Sequence, residues 1–249
     1  MSNLWVFGDS YTVHSDKNKD LLWPSKLAKK LDVKNFNNWS QYGVSNEYIS
    51  SGFNLHSRNI QKDDYIIFIV TWKGRNWFFE DHPEMSNLNM VNSDAIVNKK
   101  YGREAKKAVK YFEQYLESER LANIKLQWYY GYLQYLETIF PNLMIIPAFN
   151  NEFHYDNNFE VKGTLFDIGF DEYKTEEIGE EIFLKKWKRF DMRAGHMSVV
   201  NHDIMCKKIY DTFTKNVPLD LDSGFEKNFI NLQNYNEFET VDRTHLLDL

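Results

Sequence analysis

Tyr65-Ile66-Ile67-Phe68-Ile69-Val70 is an unbroken apolar run, preceded by Asp63-Asp64 and followed by Thr71-Trp72-Lys73-Gly74. It is too short for a helix of its own and rich in β-branched residues. Being apolar on both faces, it reads as a strand in the middle of a parallel sheet. Upstream of it, Ser45 stands as a helix N-cap, and Ile49, Phe53, His56 and Ile60 recur at helical steps. That spacing predicts an amphipathic helix closed by Asp63-Asp64. A short strand is expected around Phe36–Trp39, and Trp23, Leu27, Ala28 and Leu31 predict a helix opened by Pro24. Asn3–Phe7 reads as the first strand, ending in Gly8-Asp9-Ser10.

Downstream, residues 82–99 are polar, Asn-rich and aperiodic, an inserted loop. Ala105, Ala108/Val109, Phe112 and Leu116 mark a helix, and Leu121, Ile124, Trp128, Tyr132, Tyr135/Leu136 and Ile139 a second one, ended by Pro141. Leu143-Met144-Ile145-Ile146-Pro147-Ala148 is another strand, and 150–163 reads as loop. Ser198–Phe213 is a last helix, with Val200, Ile204/Met205, Ile209 and Phe213 on its apolar face. This alternation predicts one α/β domain with a parallel sheet over residues 1–217. Residues 218–249 read as an extended arm without a core of its own, suited to a protein partner or a second copy of the chain.

Composition narrows the function. The 249 residues are 43% hydrophobic and 16% aromatic, ample for a packed core and too apolar for a disordered chain. Thirty basic against 36 acidic residues give a net charge of −6 with no basic patch, which argues against a nucleic-acid binder. Cys206 is the single cysteine, so an internal disulfide and a cysteine-rich zinc site are excluded; it reads as a small buried hydrophobe. No apolar run approaches the roughly 18–20 residues of a membrane span. Without a basic, signal-like leader the chain is expected to be cytoplasmic at synthesis, with virion association open. No Gly-x-Gly-x-x-Gly, P-loop or His-Glu-x-x-His occurs, and His154-Tyr155-Asp156 has no further clustered ligands, so neither cofactor nor metal is expected.

Two segments carry residues suited to chemistry. Gly8-Asp9-Ser10 lies where the first strand ends, the edge at which open α/β sheets bind ligands, and a serine there also offers its backbone N–H to an oxyanion. Near the other end, His196 stands just before the last helix, with Asp191 the nearest upstream acid and Ser198 as cap. A serine nucleophile needs such a base, and the base a carboxylate to hold its tautomer. Trp72, Trp77, Phe78 and Phe79 follow the Tyr65–Val70 strand and offer either core packing or a stacking wall for a sugar or acyl group.

In chain order these segments resemble the SGNH (GDSL-type) hydrolase family. Gly8-Asp9-Ser10 matches its first block, Gly43 in Gly43-Val44-Ser45-Asn46 its second, and Gly74-Arg75-Asn76-Trp77 its third, which normally reads Gly-x-Asn-Asp. His196-Met197-Ser198-Val199-Val200-Asn201-His202 keeps both histidines and the serine of its last block. The position three residues before the first histidine, normally the acid, is Arg193. The resemblance implies a three-layer α/β/α sandwich, flavodoxin-like, with a sheet of about five strands. It implies an esterase in which Ser10 is the nucleophile, His196 the base and Asp191 the orienting acid, with Ser10, Gly43 and Asn76 as the oxyanion hole. Asp9, Trp72, Arg75 and Trp77 are then expected to line the substrate, a carboxylic ester for which an O-acyl group on a carbohydrate is a candidate. A second class remains open: an inactive structural or adapter protein of that fold in a larger assembly such as a virus particle.

Overall fold

The computed structural model describes residues 2–13, 19–77, 107, 110–112, 114, 118–149, 158–168, 197 and 199–226. The loop at 82–99, residues 150–157 with His154 and Asp156, Phe78, Phe79, and the end of the chain from 227 lie outside them.

The elements run β1 (Leu4–Gly8), α1 (Trp23–Lys30), β2 (Phe36–Ser40), α2 (Asn46–His56), β3 (Tyr65–Val70), α3 (Glu119–Ile139), β4 (Leu143–Pro147), β5 (Val161–Lys162), α4 (Val199–Lys215) and β6 (Leu219–Asp220). Among the described residues the main sheet has four strands in the order β2-β1-β3-β4, in line with the parallel sheet of about five expected. All its pairs are parallel, with Trp5 opposite Ile66 and Ile67 opposite Met144.

Alternate side chains of the central strands go to opposite cores. Leu4, Val6, Ile67, Ile69, Met144 and Ile146 join Trp23 and Leu27 of α1 and Met205 and Ile209 of α4. Trp5, Phe7, Ile66, Phe68, Val70, Leu143 and Ile145 join Ile49 and Phe53 of α2 and Leu126, Tyr129 and Leu133 of α3. Two helices thus cover each face, which is the three-layer sandwich, and it explains why these strands are apolar throughout.

Four details differ from the sequence reading. α2 stops at His56, a 3-10 turn spans Ser57–Asn59, and Ile60 reaches the core from extended backbone. In α3 the buried side chains are Leu126, Tyr129, Tyr130, Leu133, Leu136 and Glu137, whereas Trp128 is 76% exposed and Leu121, Tyr135 and Ile139 face outward. In α4, Val200 is exposed while Met205, Cys206 and Ile209 are buried.

The fourth concerns the ends of the core. The stretch expected as loop to residue 163 contains β5, which pairs with β6 in a second, two-stranded parallel sheet. Leu219 and Leu221 are buried in the α1/α4 core, and Asn201 exchanges two hydrogen bonds with the Glu226 backbone. The core is therefore not complete at Phe213; the first residues of the presumed arm are part of it. No helix of the described residues is long and apolar enough to cross a membrane.

Candidate active site

β1 delivers the chain into a tight turn at the sheet's C-terminal edge. Thr12 and Val13 donate their N–H groups to Asp9 O at 3.0 and 3.3 Å, so the backbone folds back around Ser10, which is only 3% exposed. The turn needs Gly8: a Cβ there would sit 2.8 Å from Ile69 Cγ1 and collide with Thr12 Oγ1. Polar side chains of the edge strand β2 secure it. Asn38 Nδ2 donates to Thr12 O at 2.7 Å, and Thr12 Oγ1 donates to Ser40 Oγ at 2.8 Å.

The loop after β2 is shaped by Gly43, whose φ of 63° lies in the left-handed region that favours glycine. Ser45 caps α2, its side chain accepting from Tyr48 N–H. Asn46 does what a neighbouring strand would do: its Oδ1 accepts from Thr71 N–H at 2.9 Å, and its Nδ2 donates to Thr71 O at 3.2 Å. The loop after β2 is thereby fastened to the end of β3.

At the centre stands an ion pair. Asp9 is fully buried; its Oδ1 accepts from Tyr11 N–H at 3.2 Å, and its Oδ2 accepts from Thr71 Oγ1 at 2.7 Å and from Arg75 Nη1 at 2.9 Å. Arg75 Nη1 also contacts Thr71 Oγ1 at 2.5 Å and Val44 O at 3.3 Å, and the guanidinium lies over the Phe149 ring, 5.4 Å from its centroid. Asp9 and Arg75, both expected against the substrate, are thus engaged with each other. Removing one partner of such a pair strands the other charge and costs on the order of 3–5 kcal/mol. Burial, followed by the Asp9 carboxylate, pushes the Tyr11 hydroxyl well above the usual phenol range, so it stays protonated.

The order β2-β1-β3-β4 puts the topological switch point between β1 and β3, where chain connections leave in opposite directions and ligands of open α/β sheets bind. The Ser10 turn and the Thr71–Arg75 loop meet at that point, joined through Asp9. Of the other expected residues, Trp72 and Trp77 are about two-fifths exposed; Trp72 lies flat on Gly74, and Trp77 meets Tyr48 edge-on at 5.4 Å. Asn76 donates Nδ2 to Gly74 O at 3.2 Å and accepts Lys125 Nζ on Oδ1 at 2.5 Å. A cavity of about 510 Å³ is lined by Trp72, Gly74, Asn76, Phe112 and Lys125. A second, of about 400 Å³ and lined by Asn46, Glu47, Arg75, Trp128 and Tyr129, opens between α2 and α3.

His196, Asp191, Arg193 and Ser198 lie outside the described residues. Met197, beside His196, is buried in the same core cluster as Tyr11, which follows Ser10. His202 is at the other end of that block and is 1% exposed; its Nδ1 accepts from Trp23 N–H at 3.3 Å, so the proton sits on Nε2. Burial, then the Lys26 ammonium, lowers its pKa to about 3. Among the described residues no three His, Cys, Asp or Glu side chains cluster as metal ligands. Asn46 and Thr71 carry no signal in the sequence, whereas Asp9 and Arg75, both named from it, pair with each other across 66 residues.

No protein-family model matches the chain, and no curated protein does. Among solved structures it is similar to a protein of the G-D-S-L family from Desulfitobacterium hafniense DCB-2, with 14% identity over 63% of this chain and 85% of that one and a TM-score of 0.28. It is also similar to phospholipase A1 from Streptomyces albidoflavus NA297, with 9% identity over 86% of this chain and 76% of that one and a TM-score of 0.33.

Proposed function

We propose that this chain is a serine hydrolase that cleaves a carboxylic ester through an acyl-enzyme. The observation that carries the proposal is the rigid turn presenting Ser10 at the β1/β3 switch point of a parallel sheet, in a chain that holds the ordered motif blocks through His202. Ser10 Oγ attacks the ester carbonyl while His196 takes its proton. The tetrahedral oxyanion rests on the backbone N–H groups of Ser10 and Gly43, with the Asn76 amide as third donor. Collapse expels the alcohol, which His196 protonates. Water, deprotonated by the same imidazole, then attacks the acyl-Ser10 ester and releases the acid. Asp191 holds the His196 ring in the productive tautomer. Trp72, which lines the cavity of about 510 Å³, and the exposed Trp77 supply flat apolar surface, which suits an acyl group or the sugar that bears it.

Steady-state hydrolysis of p-nitrophenyl acetate by the purified chain tests this. Ser10→Ala and His196→Ala should each lower kcat roughly 10⁴–10⁶-fold, and Asp191→Ala on the order of 10⁴-fold. Turnover undiminished in Ser10→Ala would defeat the proposal. An inert wild type would favour the adapter reading.

A further inference from the structure

We propose that Arg75 is a positioning residue that holds the two halves of the oxyanion hole in register; the inference rests on the serine-hydrolase reading above. That reading draws the two backbone oxyanion donors from separate loops, Ser10 after β1 and Gly43 after β2. Such donors work only when they stand about 2.7–3.1 Å from the developing oxyanion, and a displacement of about 1 Å costs on the order of 10²-fold in rate. Some group must therefore fix the two loops against each other.

Arg75 comes from a third loop, after β3, and touches the chain neighbours of both donors. One nitrogen, Nη1, reaches Asp9 Oδ2 at 2.9 Å, immediately before Ser10, and Val44 O at 3.3 Å, immediately after Gly43. The same nitrogen meets the Thr71 hydroxyl, which itself donates to Asp9 at 2.7 Å. Asn46 ties the Gly43 loop to the Thr71 backbone, so Arg75 and Asn46 close a ring of contacts through three strand ends. A planar guanidinium stacked over Phe149 presents donors in fixed directions. A lysine ammonium supplies the charge without the planar group that lies over Phe149 and aims Nη1. The side chain is 15% exposed, and the carboxylate it grips is fully buried. Arg75 touches no reacting atom in this arrangement and acts through the backbone it braces.

A merely structural role would be to neutralise Asp9, and the experiment separates the two. Hydrolysis of p-nitrophenyl acetate and thermal unfolding are measured for wild type, Ser10→Ala, Arg75→Lys, Arg75→Met and the double variant Asp9→Asn/Arg75→Met, which removes the stranded charge. Bracing predicts that Arg75→Lys loses roughly 10–100-fold in kcat with KM within about 2-fold. It predicts that the double variant recovers the thermal midpoint lost by Arg75→Met while kcat stays low. Wild-type kcat in the double variant or in Arg75→Lys would overturn the inference and leave the hydrolase reading intact. Equal turnover by wild type and Ser10→Ala would remove that reading, and the inference with it.

Discussion

His202 makes the folded core sensitive to acid. Its ring is 1% exposed, Nδ1 is committed to Trp23 N–H, and Nε2 has no hydrogen-bond partner among the described residues. A cation there is poorly tolerated, hence a pKa of about 3 in the folded state against 6.5 ordinarily. Because the folded pKa is lowered, the neutral ring contributes full stability above about pH 6.5. That contribution is lost as the pH falls toward 3, while the unfolded chain takes up a proton the folded one refuses. At about 1.4 kcal/mol per pH unit the loss amounts to about 3–5 kcal/mol. Urea unfolding at pH 7, 6, 5 and 4 should show His202→Gln losing less stability over that range than wild type; parallel curves would contradict the assignment. At this scale the turns after β1 and β2 were legible, because Ser10 and Gly43 stand in short local patterns. The contacts of Asp9 were not: its partners Thr71 and Arg75 lie 62 and 66 residues away, and no local period encodes a pairing at that distance.

α3 shows what element-scale reading delivers and what it leaves open. The repeat of apolar residues placed a helix at the right span, yet the inward face is that of Leu126, Tyr129, Leu133 and Leu136, not that of Leu121, Trp128 and Tyr135. The helix carries aromatic rings on most of its circumference, so period survives in the sequence while phase does not; the sheet face it packs on selects the phase. That choice buries Glu137, whose Oε1 accepts from Asn158 N–H at 3.0 Å. Burial raises its pKa from 4.5 to about 7. Here the protonated form is favoured in the folded chain, so stability falls as the pH rises from about 4.5 to 7 and stays low above that. Glu137→Gln keeps the acceptor and removes the charge. It should raise the unfolding free energy at pH 8 by on the order of 1–3 kcal/mol and change little at pH 4.5. Equal stability of the two proteins at pH 8 would show that the carboxylate ionises there without cost. By contrast, the central strands were legible outright, since strands covered on both faces must be apolar at every position.

Across the whole molecule, the domain does not end where hydrophobic periodicity does. β6 adds to β5 through Leu219 N–H to Glu160 O and Leu221 N–H to Lys162 O, both 2.8 Å, and it buries both leucines under α4. Two-residue strands carry no recognisable alternation, so this closure was invisible in a polar, Asn-rich tail. Truncation after Pro218 should therefore lower the thermal midpoint markedly, and Leu219→Ala alone should cost about 2–5 kcal/mol in urea unfolding. An unchanged midpoint in the truncated chain would return these residues to the status of an arm. The same scale bears on function: loops from β1, β2 and β3 converge at one switch point, with the Ser10 turn at its centre. The most direct test of that assembly is the site of covalent capture by a fluorophosphonate, read by peptide mass spectrometry. One adduct is expected, on Ser10, with fluoride displaced, and it should disappear in His196→Ala under native conditions. An unmodified Ser10 in a chain that still hydrolyses esters, or an adduct on another serine, would contradict it.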